Sequence, residues 1–227
     1  MTAHLHAGGA RAGDKAKAAA LVNPVVKAVR EALGDRVYGV DVRDLPHTMV
    51  ELMEARRVDL SIGEGGTGGI LPQLLMEHVP GGSDLVRFHA SATSQKLKTD
   101  ALKVPPKLLK RFGAVSPQTA AAMAYGAMLQ GGSNVGLAIT GNLGNQGDDP
   151  KHPGLCYVAL CTERLAWVQR VDLSPSESPQ QQRYLVCLHA LDLARRYAGA
   201  LPGELPGGNP LKAVMSGKVS VMSEELA

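Results

Sequence analysis

This chain has few aromatic residues, few thiols and little net charge, and each shortage removes a class of function. One Trp, five Tyr and two Phe amount to 4% of 227 residues. Nucleic-acid surfaces combine basic patches with stacking side chains. Here the net charge is only +3, and no basic cluster is interleaved with aromatics, so no nucleic-acid partner is expected. Lys103 to Arg111 is locally basic and reads as a solvated helix face. Cys156, Cys161 and Cys187 are odd in number and lack metal-ligand spacing. Reduced thiols in a cytoplasmic protein, with no metal and no cofactor, are the expectation. No apolar run has the length of a transmembrane helix, so no membrane partner is expected. Met1 to Gly13 lacks the apolar centre of a secretory signal. His4 and His6 sit in that lead, which is expected to be loose.

What is present is a core and many turns. Hydrophobic residues make up 44% of the chain, and glycine is plentiful at 26 residues. This favours a compact α/β protein. The pattern predicts a helix from Asp14, a break at Asn23-Pro24, and a second helix from Pro24 to Leu33. A short strand over Val37 to Val40 and an amphipathic helix over Leu45 to Ala55 follow. Val58 to Ile62 reads as a buried strand, then a glycine turn, then a helix from Gly69 to His78. Leu85 to Ala92 is a strand; Ser94 to Lys103 and Pro106 to Phe112 are short helices. Pro117 to Gln130 is a helix rich in Ala and Met. Asn134 to Thr140 is a strand, and Gly141 to Pro153 a polar glycine loop. Gly154 to Cys161 and Arg164 to Leu173 form a hairpin, and Pro179 to Tyr197 a last long helix. From Gly199 an extended tail is expected. No internal repeat is found.

Strands alternating with helices predict a three-layer α/β/α sandwich, and the late hairpin makes its sheet mixed. The chain divides into a lead and helix (residues 1–40), a main domain (41–198) and a tail (199–227). In such sheets ligands bind where glycine loops leave the strand ends. Residues 63–69 and 140–147 qualify.

The first of these loops, Gly63-Glu64-Gly65-Gly66-Thr67-Gly68-Gly69, resembles the Ala-Glu-Ser-Cys-Thr-Gly-Gly turn of the CinA C-terminal family, the nicotinamide-nucleotide amidohydrolases. Four further landmarks follow in register. Val79-Pro80-Gly81-Gly82-Ser83 is similar to Val-Pro-Gly-Ser-Ser. Thr93-Ser94-Gln95-Lys96-Leu97-Lys98 stands where the family has Tyr-Ser-Asn-x-x-Lys. Gly113-Ala114-Val115-Ser116 is identical to the family's own and precedes Ala122-Met123-Ala124. Thr140-Gly141-Asn142-Leu143-Gly144-Asn145 is similar to Thr-Gly-Ile-Ala-Gly-Pro. The resemblance runs from about Val37 to Ala198. The stretch before Val58 also resembles the lead-in to this domain in full-length members, where it follows a nucleotide-processing domain.

The resemblance implies hydrolysis of the carboxamide of nicotinamide mononucleotide by a serine that a lysine activates. A glycine turn at a helix start supplies donors for the oxyanion. Lys98 matches that lysine. Thr67, Gly68 and Gly69 match the turn, Glu64 its glutamate, and Thr140 the second loop. The departures fall at the chemical centre. Gly65 replaces the serine, Gly66 its cysteine neighbour, Thr93 the tyrosine and Gln95 the asparagine.

The resemblance therefore implies a small-molecule enzyme acting on a C–N bond without the family serine. Lys98 is its catalytic residue, and His89 is held in reserve as an acid or base. Glu64, Gly65, Gly66, Thr67, Gly68, Gly69, Ser94, Thr140, Gly141 and Asn142 form the substrate site. The alternatives are a protein that binds a nucleotide or carboxylate, and a deamidase with Ser61 or Ser94 as substitute nucleophile. Each candidate has a plainer reading. Lys98 by itself reads as a solvated charge, Glu64 as a cap on a neighbouring N–H, and Ser61, Ser91 and Ser94 as structural. His89 reads as a hydrogen-bonded structural histidine. His78 and His152 read as exposed, and Asp148 and Asp149 as solvated. A small-molecule ligand is the expected partner. The Ala- and Met-rich helices suggest self-association into a homo-oligomer.

Overall fold

The computed structural model describes residues 3–5, 15–144, 152–199 and 221–223. The main sheet has six strands in the order β4-β3-β5-β6-β7-β8. They are β3 (Leu60–Gly65), β4 (Val86–Ser91), β5 (Val135–Gly141), β6 (Leu155–Cys161), β7 (Ala166–Asp172) and β8 (Val221–Ser223). β4, β3 and β5 are mutually parallel, whereas β6 runs antiparallel to β5 and to β7. The parallel half needs helical crossovers; the antiparallel half is closed by the short Thr162–Leu165 turn, in which Thr162 N–H donates to Leu165 O.

Helices cover both faces, giving the expected three-layer α/β/α sandwich with a mixed sheet. On one face lie α2 (Leu45–Ala55), α3 (Ile70–Met76) and α8 (Pro179–Gly199), packed on Leu60, Ile62, Leu137, Ile139 and Leu160. On the other lie α5 (Gln95–Leu102), α6 (Pro106–Phe112) and α7 (Pro117–Gly131), packed on Ala138, Ala159 and Val168. α4 (Gly82–Leu85) is a single turn before β4. The alternation of a strand sends neighbouring residues to opposite layers. Both strands are buried on both faces; β5 reads as a nearly continuous apolar run, whereas β3 carries Ser61 and Glu64 among its buried residues.

α7 lies close to both the sheet and α5. A Cβ on Gly136 would sit 1.9 Å from the Ala124 carbonyl oxygen, and one on Gly126 would sit 1.7 Å from the Leu102 carbonyl oxygen. Only glycine permits those approaches. The Ala and Met side chains of α7 are spent on this contact: Ala120, Ala121, Met123, Ala124 and Ala127 are wholly buried. They account for a core, and so the composition of this helix supplies no argument for a self-associating surface.

Three boundaries differ from the sequence reading. β3 continues through Gly65, where a turn was expected from Gly63, because backbone pairing with β5 continues to Gly65 opposite Thr140. α1 (Lys15–Leu33) runs unbroken through Pro24. Proline lacks the amide donor, but this removes one intrahelical bond and leaves the rest of the ladder. The lead was expected to be loose, yet Ala3–Leu5 forms β1, which pairs in parallel with β2 (Val37–Val40). Most of the expected tail lies outside the described residues, as do Asp148, Asp149 and His6; Val221–Ser223 pairs with β7.

Candidate active site at the end of strand β3

Gly65 is the last residue of β3 and faces the α5 layer. A Cβ built on it would lie 2.8 Å from Lys98 Nζ and 3.4 Å from the Ile139 carbonyl oxygen. The Lys98 ammonium thus fills the space that a side chain at residue 65 would occupy. Lys98 is 3% exposed, and its Nζ donates to the Ala92 carbonyl oxygen at 3.1 Å.

The sequence places Lys98 there through α5. Ser94 caps this helix: its Oγ accepts from Leu97 N–H at 3.2 Å. Lys98 N–H then donates to Ser94 O at 3.0 Å, opening the helical ladder. Lys98 and Leu102, spaced by four, form the inner stripe of α5. Lys96 and Lys103 turn outward; the first pairs with Asp100, and the second donates to the Asp100 carbonyl oxygen. The same helix therefore separates one buried lysine from two surface ones. A shallow groove of about 290 Å³ between α5 and α6, lined by Gln95, Thr99, Asp100 and Leu109 among others, lies outside Lys98 and is no part of this site.

Thr140 stands opposite Gly65 in the ladder, and its Oγ1 donates to the Ala114 carbonyl oxygen at 2.7 Å. This bond brings the Gly113–Ser116 segment to the strand end. Gly113 O in turn accepts from Thr119 Oγ1 at 2.6 Å, and Ser116 Oγ caps α7 by accepting from Thr119 N–H. The backbone carbonyls of Ala92 and Ala114 carry no signal in a sequence, and the reading of residues missed both.

The two glycine loops meet. A Cβ on Gly66 would sit 3.2 Å from the Gly141 carbonyl oxygen. Gly66, Gly68 and Gly69 have φ of 113°, 73° and 91°, a region that only glycine enters at low cost. Gly68 is exposed, and open space lies beside it and beside Gly69. Asn142 is 1% exposed and is absorbed by the base of the β5–β6 connection, its Nδ2 donating to the His152 carbonyl oxygen at 3.2 Å. Gln182 of α8, missed in the sequence, accepts from Gly144 N–H at 3.0 Å and steadies the same loop.

Glu64 projects into the other layer. Its Oε1 accepts from Thr67 Oγ1 at 2.6 Å and from Leu71 N–H at 3.0 Å. Both Glu64 and Thr67 are 1% exposed. Gly69, at the start of α3, offers no side chain to its free amides, so the Glu64 carboxylate serves as a remote cap, which is the plainer of the two readings of Glu64. Cys187 lies near this carboxylate. Burial, with Glu64 and Cys156 adding to it, pushes the Cys187 thiol up.

His89 does not join Lys98. It is exposed on the edge strand β4 and pairs in register with Ile62, which faces the α3 layer. Ser91 is exposed, and Ser94 is exposed with its hydroxyl engaged as the cap. Ser61 shares the face of Gly65, but four residues of strand separate them by roughly 13 Å. It packs under Gly131 instead, whose added Cβ would meet Ser61 Oγ. His78 and His152 are exposed. Among the described residues no group of His, Cys, Asp or Glu could hold a metal ion. No described helix is long and apolar enough to cross a membrane.

A second buried charged group lies on α8, away from the site. Asp192 accepts from Arg195 at 2.8 Å and faces Arg196 at 3.0 Å, and Arg196 reaches Gln169 of β7. Two arginines share the one carboxylate, and the contact of Arg196 with Gln169 makes the group a tie between α8 and the sheet.

Comparison with known proteins agrees with this architecture. A family model described as the CinA C-terminal domain matches residues 42–198. A CinA-like protein of Desulfovibrio desulfuricans is 40% identical over 199 residues, spanning 86% of this chain and 46% of its own length. A CinA-like protein of Frankia casuarinae is 38% identical over 193 residues, spanning 85% of this chain and 44% of its own. The chain thus spans under half the length of these curated relatives. Among solved structures, the competence/damage inducible protein CihA of Agrobacterium tumefaciens superposes with a TM-score of 0.62 at 27% identity, covering 66% of this chain and 90% of that one. A CinA superfamily protein of Escherichia coli shares the fold, with a TM-score of 0.62 at 23% identity over 72% of this chain and 97% of that one. The chain belongs to the CinA C-terminal domain family.

Proposed function

We propose that this chain is a small-molecule enzyme that acts on a C–N bond, of an amide or of a nitrogen-containing aromatic, without an acyl-serine. The observation that carries this reading is the buried Lys98 Nζ, 2.8 Å from where a Cβ on Gly65 would be. A cation held there is aimed at the place where a carbonyl oxygen would gather negative charge, and such aimed charge is worth several kcal/mol in a site that excludes water. Water is then the nucleophile; Lys98 gives a proton to the departing amine and regains one from the attacking water, so the group ends the cycle as it began. The Gly66–Gly69 turn and the Thr140 strand end hold the substrate.

A substitute serine fits poorly. Ser94 spends its hydroxyl on the α5 cap, and Ser61 sits four residues up the strand. A second reading, a non-catalytic site for a carboxylate or nucleotide, draws on the hydrogen bond from Lys98 to Ala92, which holds the head group as a fixed donor.

The test is ammonia release, with mass spectrometry of products, from nicotinamide mononucleotide and a panel of aromatic amides and amines. Native protein runs beside Lys98→Ala and Lys98→Arg. The enzyme reading expects turnover that Lys98→Ala abolishes. Binding of a panel member without turnover supports the second reading and overturns the first.

A further inference from the structure

We propose that Lys98 is itself a nucleophile, and that the site takes an aldehyde or ketone as a Schiff base. The inference rests on the reading that a small molecule is held beside Gly65, but not on that molecule being an amide. Position is the first argument. With no side chain at Gly65, Lys98 Nζ takes up the place where one would begin, 2.8 Å from the Cβ position. Burial is the second. Lys98 is 3% exposed, with the buried Leu102 one turn on and Ala92 at its head group, whereas Lys96 and Lys103 of the same helix sit in water. Lysines withdrawn from water in this way are those that enzymes use to form imines. Access is the third. Gly65 is buried and Gly66 lies against the Gly141 carbonyl and Leu143, so a ligand enters from the open side of the same turn, at the exposed Gly68 and at Gly69, three and four residues on from Gly65.

The chemistry selects the carbonyl class. An amine that attacks an amide yields another amide, no easier to hydrolyse than the first, so the exchange leads nowhere. The Lys98 ammonium first gives one proton to water; the neutral amine then attacks an aldehyde or ketone, forming a C–N bond while the carbonyl π pair moves to oxygen, which takes up a proton. The nitrogen loses its protons as the C–O bond breaks, and one water leaves. The product is an imine on Nζ, and water reverses each step. No oxidant, reductant or metal enters this balance.

Native protein is incubated at neutral pH with pyridine-3-carboxaldehyde and sodium cyanoborohydride, which reduces an imine to a stable secondary amine. Peptide mass spectrometry then locates the adduct. The expected result is an adduct on Lys98 at roughly tenfold the level on Lys96 and Lys103. In Lys98→Arg, which keeps the charge, the adduct is lost from that position. Labelling of Lys96 and Lys103 with Lys98 unmodified overturns the inference. Lys98-dependent ammonia release without a Lys98 adduct overturns this inference and leaves the C–N reading standing. An adduct on Lys98 without ammonia release from any amide supports it while the C–N reading falls.

Discussion

Lys98 and Gly65 form a complementary pair: the ammonium of one fills the space left by the missing side chain of the other, 2.8 Å from where its Cβ would be. Nζ is the far end of a flexible chain, so this contact can yield. Gly65 also has an ordinary backbone conformation, whereas Gly66 has φ of 113°.

The two adjacent glycines should therefore respond differently to substitution. Gly65→Ala pushes the Lys98 head group aside and leaves stability nearly unchanged. Gly66→Ala forces a side chain into the left-handed region and against the Gly141 carbonyl, and should cost about 1–3 kcal/mol. Urea unfolding of both variants checks the order; a greater loss at Gly65 would contradict it.

Glu64 should prove structural. Removing its carboxylate strands Leu71 N–H and the Thr67 hydroxyl in a buried place, and Glu64→Ala should cost about 1–3 kcal/mol. Glu64→Gln keeps an acceptor oxygen and should lose less. Since Glu64 and Lys98 lie on opposite faces of the sheet, Glu64→Gln should leave ligand affinity within about threefold of native, a free-energy change below that of one good hydrogen bond. A loss of binding as large as that of Lys98→Ala would return Glu64 to the ligand site.

The thiols set an alkaline limit. Burial pushes Cys156 and Cys161 up to about 12, with Asp172 adding to the effect at Cys156 and a hydrogen bond at Cys161 opposing it. Their ordinary value is 9.0. The folded thiols keep their protons while unfolded ones release them, so stability is full below pH 9 and falls as pH rises toward 12. Tyr38 and Tyr197, both raised chiefly by burial, act in the same direction. Guanidinium midpoints measured from neutral to alkaline pH should decline over that window. In the native protein at neutral pH, a disulfide reagent should find Cys156, Cys161 and Cys187 unreactive, and all three should react once the chain is unfolded.

Much of this fold was legible because its elements obey simple periods. The inner stripe of α2, the apolar run of β5 and the capping serines at Ser94 and Ser116 are local signals. Pro24 misled because proline weakens a helix without always ending it. The β3 boundary misled because Gly63 and Gly65 look like a turn, whereas in the strand they allow close packing: a Cβ on Gly63 would sit 3.0 Å from Leu102.

That boundary also decided how much of the site could be read. With a turn from Gly63, residues Glu64 to Gly69 appear to form one cradle. With β3 extended to Gly65, strand alternation sends Glu64 to the α3 layer and Gly65 to Lys98. His89 was placed near the site by its strand alone; its register with Ile62 turns it away. Lys98, conversely, is indistinguishable from its helix neighbours Lys96 and Lys103 by composition, and only family register singled it out. The Ala92 and Ala114 carbonyls, which fix the site's geometry, had no sequence signal.

Introducing a serine at residue 65 tests the central claim most directly. Gly65→Ser places a hydroxyl within reach of Lys98 Nζ, and the backbone there accepts a side chain. The native protein should not react with a fluorophosphonate probe, Gly65→Ser should be labelled at residue 65, and Gly65→Ser combined with Lys98→Ala should lose that labelling. Labelling of the native chain at another serine, or a folded Gly65→Ser variant that stays unlabelled, would contradict the proposal that Lys98 serves a reacting group beside residue 65.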